Sequence, residues 1–442
     1  MRTAWHRVGA ALALLLALAG GRAAGQAVPS QPSQPSQHSQ PSRLVVSLVT
    51  MGPGHNIWDR FGHTAIWIAD TVAGTGEAYN YGLFDFGQKN FLLRLLRGRM
   101  WYWMAPFPAE PYIGSYVRDD RSVWVQELAL DAEQRAALQA FLEWNALDEN
   151  RFYGYDYYRD NCSTRVRDAL DRVLGGAIRA ATDTVATGTT YRSHTRRLLA
   201  PAPLAYTGTQ LALGSPTDVE LSLWEAMFVP MEMQRAIRDI EIMAPDGATR
   251  PLVKAEYTLH ESGTFSERAE PPAWWPGYLV IGLLAGCGFV VLARGGRRRM
   301  LAGLAAVWCG VFGVVGLIMT ALWALTEHVA TYRNENLLQA NLLLLPLAVL
   351  VPRLAAGSSW AARPANLLAG AVAALSVLGF VLQALPALDQ ANTEIIALLL
   401  PASVGLWLAV RTLARRTPDD QSAIVKPSAA ASTTSPGAAS AA

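Results

Sequence analysis

Two residues carry most of the chemistry that this sequence can do. Cys162, in the stretch YYRDNCSTRVRDAL, is the only one of three cysteines outside an apolar run; Cys287 and Cys309 lie inside such runs. A disulfide framework needs a second soluble cysteine, and none is present. No Cys/His cluster has zinc spacing, so neither a metal nor another cofactor is expected. A free thiol in an exported segment fits a nucleophile. Asp160 or Asn161 is a natural N-cap for a helix beginning at Cys162, which places the thiol in a first turn with unpaired N–H groups. The helix dipole there favours thiolate, with Arg159 and Arg165 expected to add to that effect. The N–H groups of this first turn, around Asn161 and Ser163, are candidate oxyanion donors.

A cysteine nucleophile needs a general base within hydrogen-bond reach. Of seven histidines, His6 sits in an N-terminal apolar segment, His38 in a Pro/Ser/Gln run and His328 between two apolar stretches. His194 and His260 lie in weakly patterned polar stretches, and His55 in the turn GPGHNIW. His63 opens a strand directly after Gly62, a glycine expected to leave room for an approaching substrate or nucleophile, and is the preferred base. A third group should hold its imidazole in one tautomer. Asn80 or Tyr81, in YNYG, is suited to that role, but neighbours in a strand point to opposite faces, so only one can serve.

The surrounding elements follow from periodicity and punctuation. RLVVSLVTMGPG reads as a strand and turn, and GHTAIWIAD and EAYNYGLFDF as two strands joined by TVAGTG. DAEQRAALQAFLEWNAL reads as a helix capped by Asp131, with Gln134 three residues on. CSTRVRDALDRVL reads as a second, with Val166, Leu170, Val173 and Leu174 on one stripe and Gly175-Gly176 as its stop. DVELSLWEAMFVPMEMQRAI reads as a third. Strands and helices without regular βαβ alternation imply an α+β domain over 43–265. FLLRLLRGRMWYWMAPF (Phe91 to Phe107) has the composition of a segment lying among lipid headgroups, although a core helix and strand would show the same apolar spacing.

The full chain has 442 residues, 51% hydrophobic and 16% charged, a balance that fits one polar and one membrane-embedded half. The net charge of +2 averages over both and excludes little, but no basic, aromatic-interleaved block suits nucleic acid. Residues 1–25 have the layout of a secretory signal peptide, and 26–42 that of a disordered Pro/Ser/Gln linker. Five apolar stretches follow within 276–412: 277–293, 301–325, 337–351, 365–385 and 395–410, the first and third short. The arginines of RGGRRRM, PRLAAGSSWAARP and RTLARR mark the cytoplasmic side, which puts 43–265 in the periplasm. A disordered cytoplasmic tail, 413–442, completes the chain. Glu335 and Asn336, in an outer loop, are candidates to contact a substrate headgroup, or are simply solvated.

GPGHNIWDRFGHTAIWI, YNYGLFDF, YGYDYYRDNCSTRVRDAL and LGSPTDVELSLWEAMFVP together resemble the Lnb-type N-terminal periplasmic domain. TEHVATYRNENLLQANLLLLPL resembles the membrane part of the same proteins. That resemblance implies a circularly permuted, papain-like thiol fold similar in plan to the NlpC/P60 group, joined to a five-helix membrane domain. It implies a lipoprotein N-acyltransferase of the bacterial inner membrane, with catalytic roles for Cys162 and His63 and a supporting role for Asn80 or Tyr81. The implied partners are a membrane phospholipid as acyl donor, diacylglyceryl lipoproteins as acceptor, and the bilayer itself. Two other readings use the same residues: a periplasmic cysteine hydrolase acting on peptides or lipid esters, or a non-catalytic lipid- or partner-binding membrane protein.

Overall fold

A computed structural model describes residues 43–85, 87–243, 247–388 and 390–415. The expected signal segment, the linker and the tail from 416 onwards lie outside the described residues, as do His6 and His38. The chain forms two compact units. The first takes residues up to Phe91, then Arg99–Thr189 and Glu220–Arg268; the second takes Leu92–Gly98, Thr190–Val219 and the chain from Ala269 onwards.

The first unit is α+β, built on a seven-stranded sheet. Its strands are β1 (Leu44–Met51), β2 (His63–Asp70), β3 (Thr75–Leu83), β4 (Trp101–Pro108), β5 (Val123–Leu128), β6 (Phe152–Gly154) and β7 (Val253–His260). They lie in the order β7–β5–β1–β2–β3–β4–β6, and every neighbouring pair is antiparallel. β1 is buried along almost its whole length, which is why it reads as an unbroken apolar run. Leu44, Val46 and Leu48 face one side with Ile66, Ile68, Tyr79 and Tyr81. There they meet helices α3 (Ala132–Ala146), α4 (Cys162–Val173) and α5 (Pro230–Arg238). Val49, Met51, Ala65, Ala78 and Phe107 face the other side, covered by Tyr112, Ile113 and Tyr116 of helix α2 (Ala109–Arg118).

Local signals set the helix ends. Asp131 accepts from the Gln134 N–H at 2.8 Å and Gln134 Oε1 accepts from the Asp131 N–H at 3.0 Å, a reciprocal capping box that starts α3. The third expected helix is divided. Glu220–Ser222 is a strand, Leu223–Ala226 a single turn, and α5 begins afresh at Pro230. Proline supplies no N–H and holds Val229 extended, so a helix can start at Pro230 but cannot run through it.

The stretch from Phe91 to Phe107 also divides. Its first part is the short helix α1 (Phe91–Arg97), whose Leu93 and Leu96 are exposed. Its second part is β4, whose Met104, Ala105 and Phe107 are core.

The second unit is all-α. Its long helices are α6 (Trp275–Arg294), α7 (Arg298–Leu325), α9 (Ala362–Leu382) and α10 (Thr393–Ala414), with α8 (Leu344–Ala355) between α7 and α9. Among the described residues, four helices are long and apolar enough to cross a membrane; α8, of 12 residues, is not among them. At 1.5 Å per residue it spans about 18 Å, short of the ~30 Å hydrocarbon core. The expected third stretch began at Leu337, but the residues before α8 are rich in amides that bond elsewhere. Asn334 Nδ2 donates to Leu211 O at 2.7 Å and Asn336 Nδ2 to Gln210 O at 2.8 Å, so both satisfy carbonyls in the last turn of the helix Pro203–Ala212. Gln339 Nε2 donates to Ser376 O at 3.0 Å. Asn336 is therefore buried and structural, and Glu335 accepts from Gln383 Nε2, so neither is a solvated loop residue.

Residues 190–219, expected within the 43–265 segment, pack in the second unit. Arg196 Nη2 and the Tyr206 hydroxyl both donate to the buried Glu394 carboxylate at the start of α10, at 2.9 and 2.8 Å. Such a pair forms only between elements 190 residues apart in sequence, and periodicity carries no signal of it.

Candidate active site

α4 starts at Cys162 because Asn161 caps it. Asn161 Oδ1 accepts from the N–H groups of Ser163 and Thr164 at 2.9 and 3.0 Å, and Thr164 Oγ1 accepts from the Asn161 N–H at 2.8 Å. Asn161 Nδ2 donates to Tyr157 O and Phe228 O at 3.0 and 2.9 Å, which ties this turn to the chain before α5. The Ser163 hydroxyl donates to Met227 O at 2.6 Å. The side chains of Asn161 and Ser163 thus hold the helix start in place. The N–H groups that bear on the sulfur are those of Thr64, Ser163 and Cys162 itself.

His63 stands at the start of β2, on the sheet face that α2 covers. Its Nε2 hydrogen-bonds Asn80 Oδ1 from the neighbouring strand. An amide oxygen only accepts, so this bond puts the proton on Nε2 and leaves the Nδ1 lone pair available. Tyr81 points the other way, as strand alternation requires. Its hydroxyl donates to Asn145 Oδ1 at 2.7 Å within the core, so Asn80, not Tyr81, orients His63.

Cys162 comes from a helix on one face of the sheet and His63 lies on the other face, and both approach Gly82, at the start of β2 and the end of β3. Gly82 permits this. A Cβ there would lie 3.3 Å from Cys162 Cβ and 3.9 Å from His63 Cε1, and its φ of +93° is one that only glycine adopts at low cost. Gly82→Ala is expected to destabilise the protein by about 1–3 kcal/mol and to push the two side chains apart. Thermal denaturation and the alkylation rate of Cys162 would both register the change; an unaltered rate and Tm would contradict this account. Gly62, expected to leave room for a substrate, does not do so: a Cβ there would meet Met231 Sδ at 2.5 Å.

Burial dominates the electrostatics. It pushes the Cys162 thiol up to about 11, against the N–H groups just named and the charge of Arg121. Burial also lowers His63 to about 4, although the Asn80 bond works the other way. The expectation of a resting thiolate is therefore not met: near neutral pH the thiol is protonated and the imidazole is neutral. The helix terminus acts in the expected direction but is outweighed by desolvation. Arg165 does not supply the expected charge either. It is paired in a fork with Asp160 and lies over the Tyr153 ring at 4.3 Å. Arg159 is exposed, and its backbone N–H donates to Asp156 Oδ1 at 2.9 Å.

The cation that does act on the pair is Arg121, which the sequence reading missed. It is buried, with Nε donating to Gly52 O at 2.9 Å and Nη1 to Asp59 Oδ1 at 3.2 Å. Its guanidinium lies 4.7 Å from the centroid of the Tyr116 ring, and that ring stacks on His63 at 6.1 Å with planes 2° apart. Tyr102, Tyr112, Tyr116, Tyr153 and Tyr155 complete the surroundings. Burial raises the pKa of every one of their hydroxyls, and a charge on Cys162 would raise it further. Cys162 thus has five tyrosines in its electrostatic surroundings, a setting poorly suited to a resting ion. Gly82 lies within EAYNYGLFDF, where an isolated glycine inside a strand run is a signal of close backbone approach. Arg121 looked like any other arginine in RDDRS.

The remaining described histidines are engaged elsewhere. His260 Nε2 bonds Asp120 at 3.0 Å, His328 Nε2 bonds Leu95 O at 2.8 Å, Arg197 bonds His194 Nδ1, and His55 packs edge-on against Phe265.

Residues 30–200 match the family described as the Lnb N-terminal periplasmic domain, and residues 269–411 match the Lnb transmembrane domain. No curated protein and no solved structure matches the chain.

Proposed function

Because the chain belongs to the Lnb family of lipoprotein-processing inner-membrane proteins, we propose that it is a thiol-dependent lipoprotein N-acyltransferase. The observation that supports this most directly is the convergence of Cys162 and the His63–Asn80 pair around Gly82. The Cys162 thiol passes its proton to His63 Nδ1 as the sulfur attacks an ester carbonyl of a phospholipid. The carbonyl–oxygen bond to the glycerol breaks, and the departing alkoxide takes the proton from His63, leaving a lysophospholipid and an acyl-thioester. The free α-amino group of a diacylglyceryl-cysteine then attacks the thioester, His63 takes a proton from it, and the thiol is re-formed. In this reading the N–H groups of Thr64 and Cys162, which bear on the sulfur, receive the oxyanion in both steps.

This assignment puts the first unit in the periplasm, with both substrates reached from the outer leaflet. The arginine-rich loops at Arg294–Arg299 and Arg411–Arg416 are then cytoplasmic. The test is expression in cells depleted of their own lipoprotein N-acyltransferase, followed by mass measurement of lipoprotein N-terminal peptides. A third acyl chain is expected. Peptides that stay diacylated while the protein is present and folded would overturn the proposal. Release of free fatty acid without N-acylation would favour a hydrolase instead.

A further inference from the structure

The short helix α1 belongs to the second unit although the chain around it belongs to the first. Its carbonyls hold it there. Glu327 N–H donates to Arg97 O and His328 Nε2 donates to Leu95 O, both at 2.8 Å. Gly98 makes the approach possible, because a Cβ there would stand 3.0 Å from the backbone of both Glu327 and His328, and its φ is +76°. Glu327 and His328 lie two and three residues beyond Leu325, the last residue of α7, a helix long and apolar enough to span a bilayer. The end of a spanning helix lies at the membrane surface, so whatever is bonded two or three residues beyond it lies at that surface too.

The composition of α1 suits the same place. Leu93 and Leu96, three residues apart and on one side of the helix, are 46% and 55% exposed in the whole chain. Arg94 and Arg97 share an adjacent side, and FLLRLLR contains no acidic residue. Two exposed leucines beside two arginines match a phospholipid interface, with acyl chains below and phosphates above. Among the described residues, both leucines stay exposed.

We propose that α1 is a membrane-surface element: Leu93 and Leu96 sit among the upper acyl chains of the leaflet that α7 enters, and Arg94 and Arg97 engage phospholipid phosphates. The inference rests on α7 spanning the membrane, which is part of the reading above. It adds a lipid contact immediately before β4, which the chain reaches through Gly98, Arg99 and Met100.

The test uses the full-length protein in lipid nanodiscs. A Cys162→Ser, Cys287→Ala background leaves only the buried Cys309. Into it Leu96→Cys, or separately Val311→Cys in α7, is introduced and labelled with bimane. Fluorescence is compared in discs of plain phosphatidylcholine and in discs containing phosphatidylcholine with a nitroxide at the headgroup or high on the acyl chain. The Leu96→Cys signal is expected to fall by about half with the nitroxide lipids, since an interfacial helix sits within the ~5–10 Å boundary layer they occupy. An unchanged signal at Leu96→Cys, with Val311→Cys quenched by a mid-chain nitroxide, overturns the proposal and leaves the spanning helix intact. Loss of quenching at both positions overturns the proposal together with the membrane reading of α7.

Discussion

Cys162→Ala should abolish N-acylation while leaving the fold in place. The Asn161 cap does not depend on the thiol, and alanine is the best helix former. The expected loss is at least about a thousandfold, as for removal of a nucleophile from a unit that acts together. Two measurements check this. In the depleted cells, lipoprotein peptides should lack the third acyl chain, although the variant is produced at normal levels with an unchanged Tm. In the purified native protein exposed to phospholipid alone, the peptide bearing Cys162 should gain the mass of one acyl chain; in the variant no residue should. Transfer that persists in Cys162→Ala would remove the thioester route, and with it the reason for a free thiol in this position.

His63→Ala should reduce the rate by about 10²–10⁴ and also change its dependence on pH. Burial holds His63 at about 4, so the imidazole is a competent base well below the ordinary histidine pKa. In the native protein the rate should stay level from about pH 9 down to about pH 5, and fall only as the imidazole takes a proton near 4. A base with the ordinary pKa would begin to fail near pH 6.5. Burial also holds the thiol at about 11, so without His63 the reaction depends on the small fraction that ionises unaided. That fraction grows about tenfold per pH unit below its pKa, so the His63→Ala rate should climb steadily through pH 9. The test is the initial rate of acyl-thioester formation on Cys162 from phospholipid alone, in detergent micelles between pH 4.5 and 9.5, because the acceptor's α-amino group, with an ordinary pKa of about 7.7–8.0, would itself titrate in that range. A native profile that rises tenfold per unit, or a variant profile that stays level, would show that His63 is not the base.

The site and the fold were legible to different depths. Asp131 with Gln134, and Asn161 before Cys162, are local signals: a short polar side chain and the N–H groups it satisfies lie within three residues. Asn80 could be paired with His63 across a six-residue hairpin turn, and strand alternation allowed only one of Asn80 and Tyr81. The choice between them needed to know which face of the sheet α2 covers. The break at Pro230 was present in the sequence as a proline, but the apolar spacing on either side of it suggested one continuous helix. The amides of NENLLQAN were equally visible. What they bind, the last turn of the helix Pro203–Ala212, lies more than a hundred residues away.

The thiol's ionisation shows the limit most plainly. A helix N-terminus and nearby arginines predict a lowered pKa, and both are there. Their effect depends on the dielectric around them and on which arginine is already paired. Arg165 is neutralised by Asp160, Arg121 arrives from beyond α2, and desolvation outweighs both the helix terminus and the charge of Arg121.

The sequence by itself singled out Cys162 and His63 as candidate nucleophile and base, and determined the helix that presents the thiol and the division into an α+β part and an apolar helical part. Each follows from residue type and short-range periodicity. Only the tertiary structure decided that Asn80 rather than Tyr81 holds His63, that Gly82 is the gap in which the pair meets, that the resting pair is uncharged, and that residues 92–98 and 190–219 pack with the membrane helices. Those outcomes depend on close approach and desolvation between segments distant in the chain, and neither quantity is a property of any local stretch.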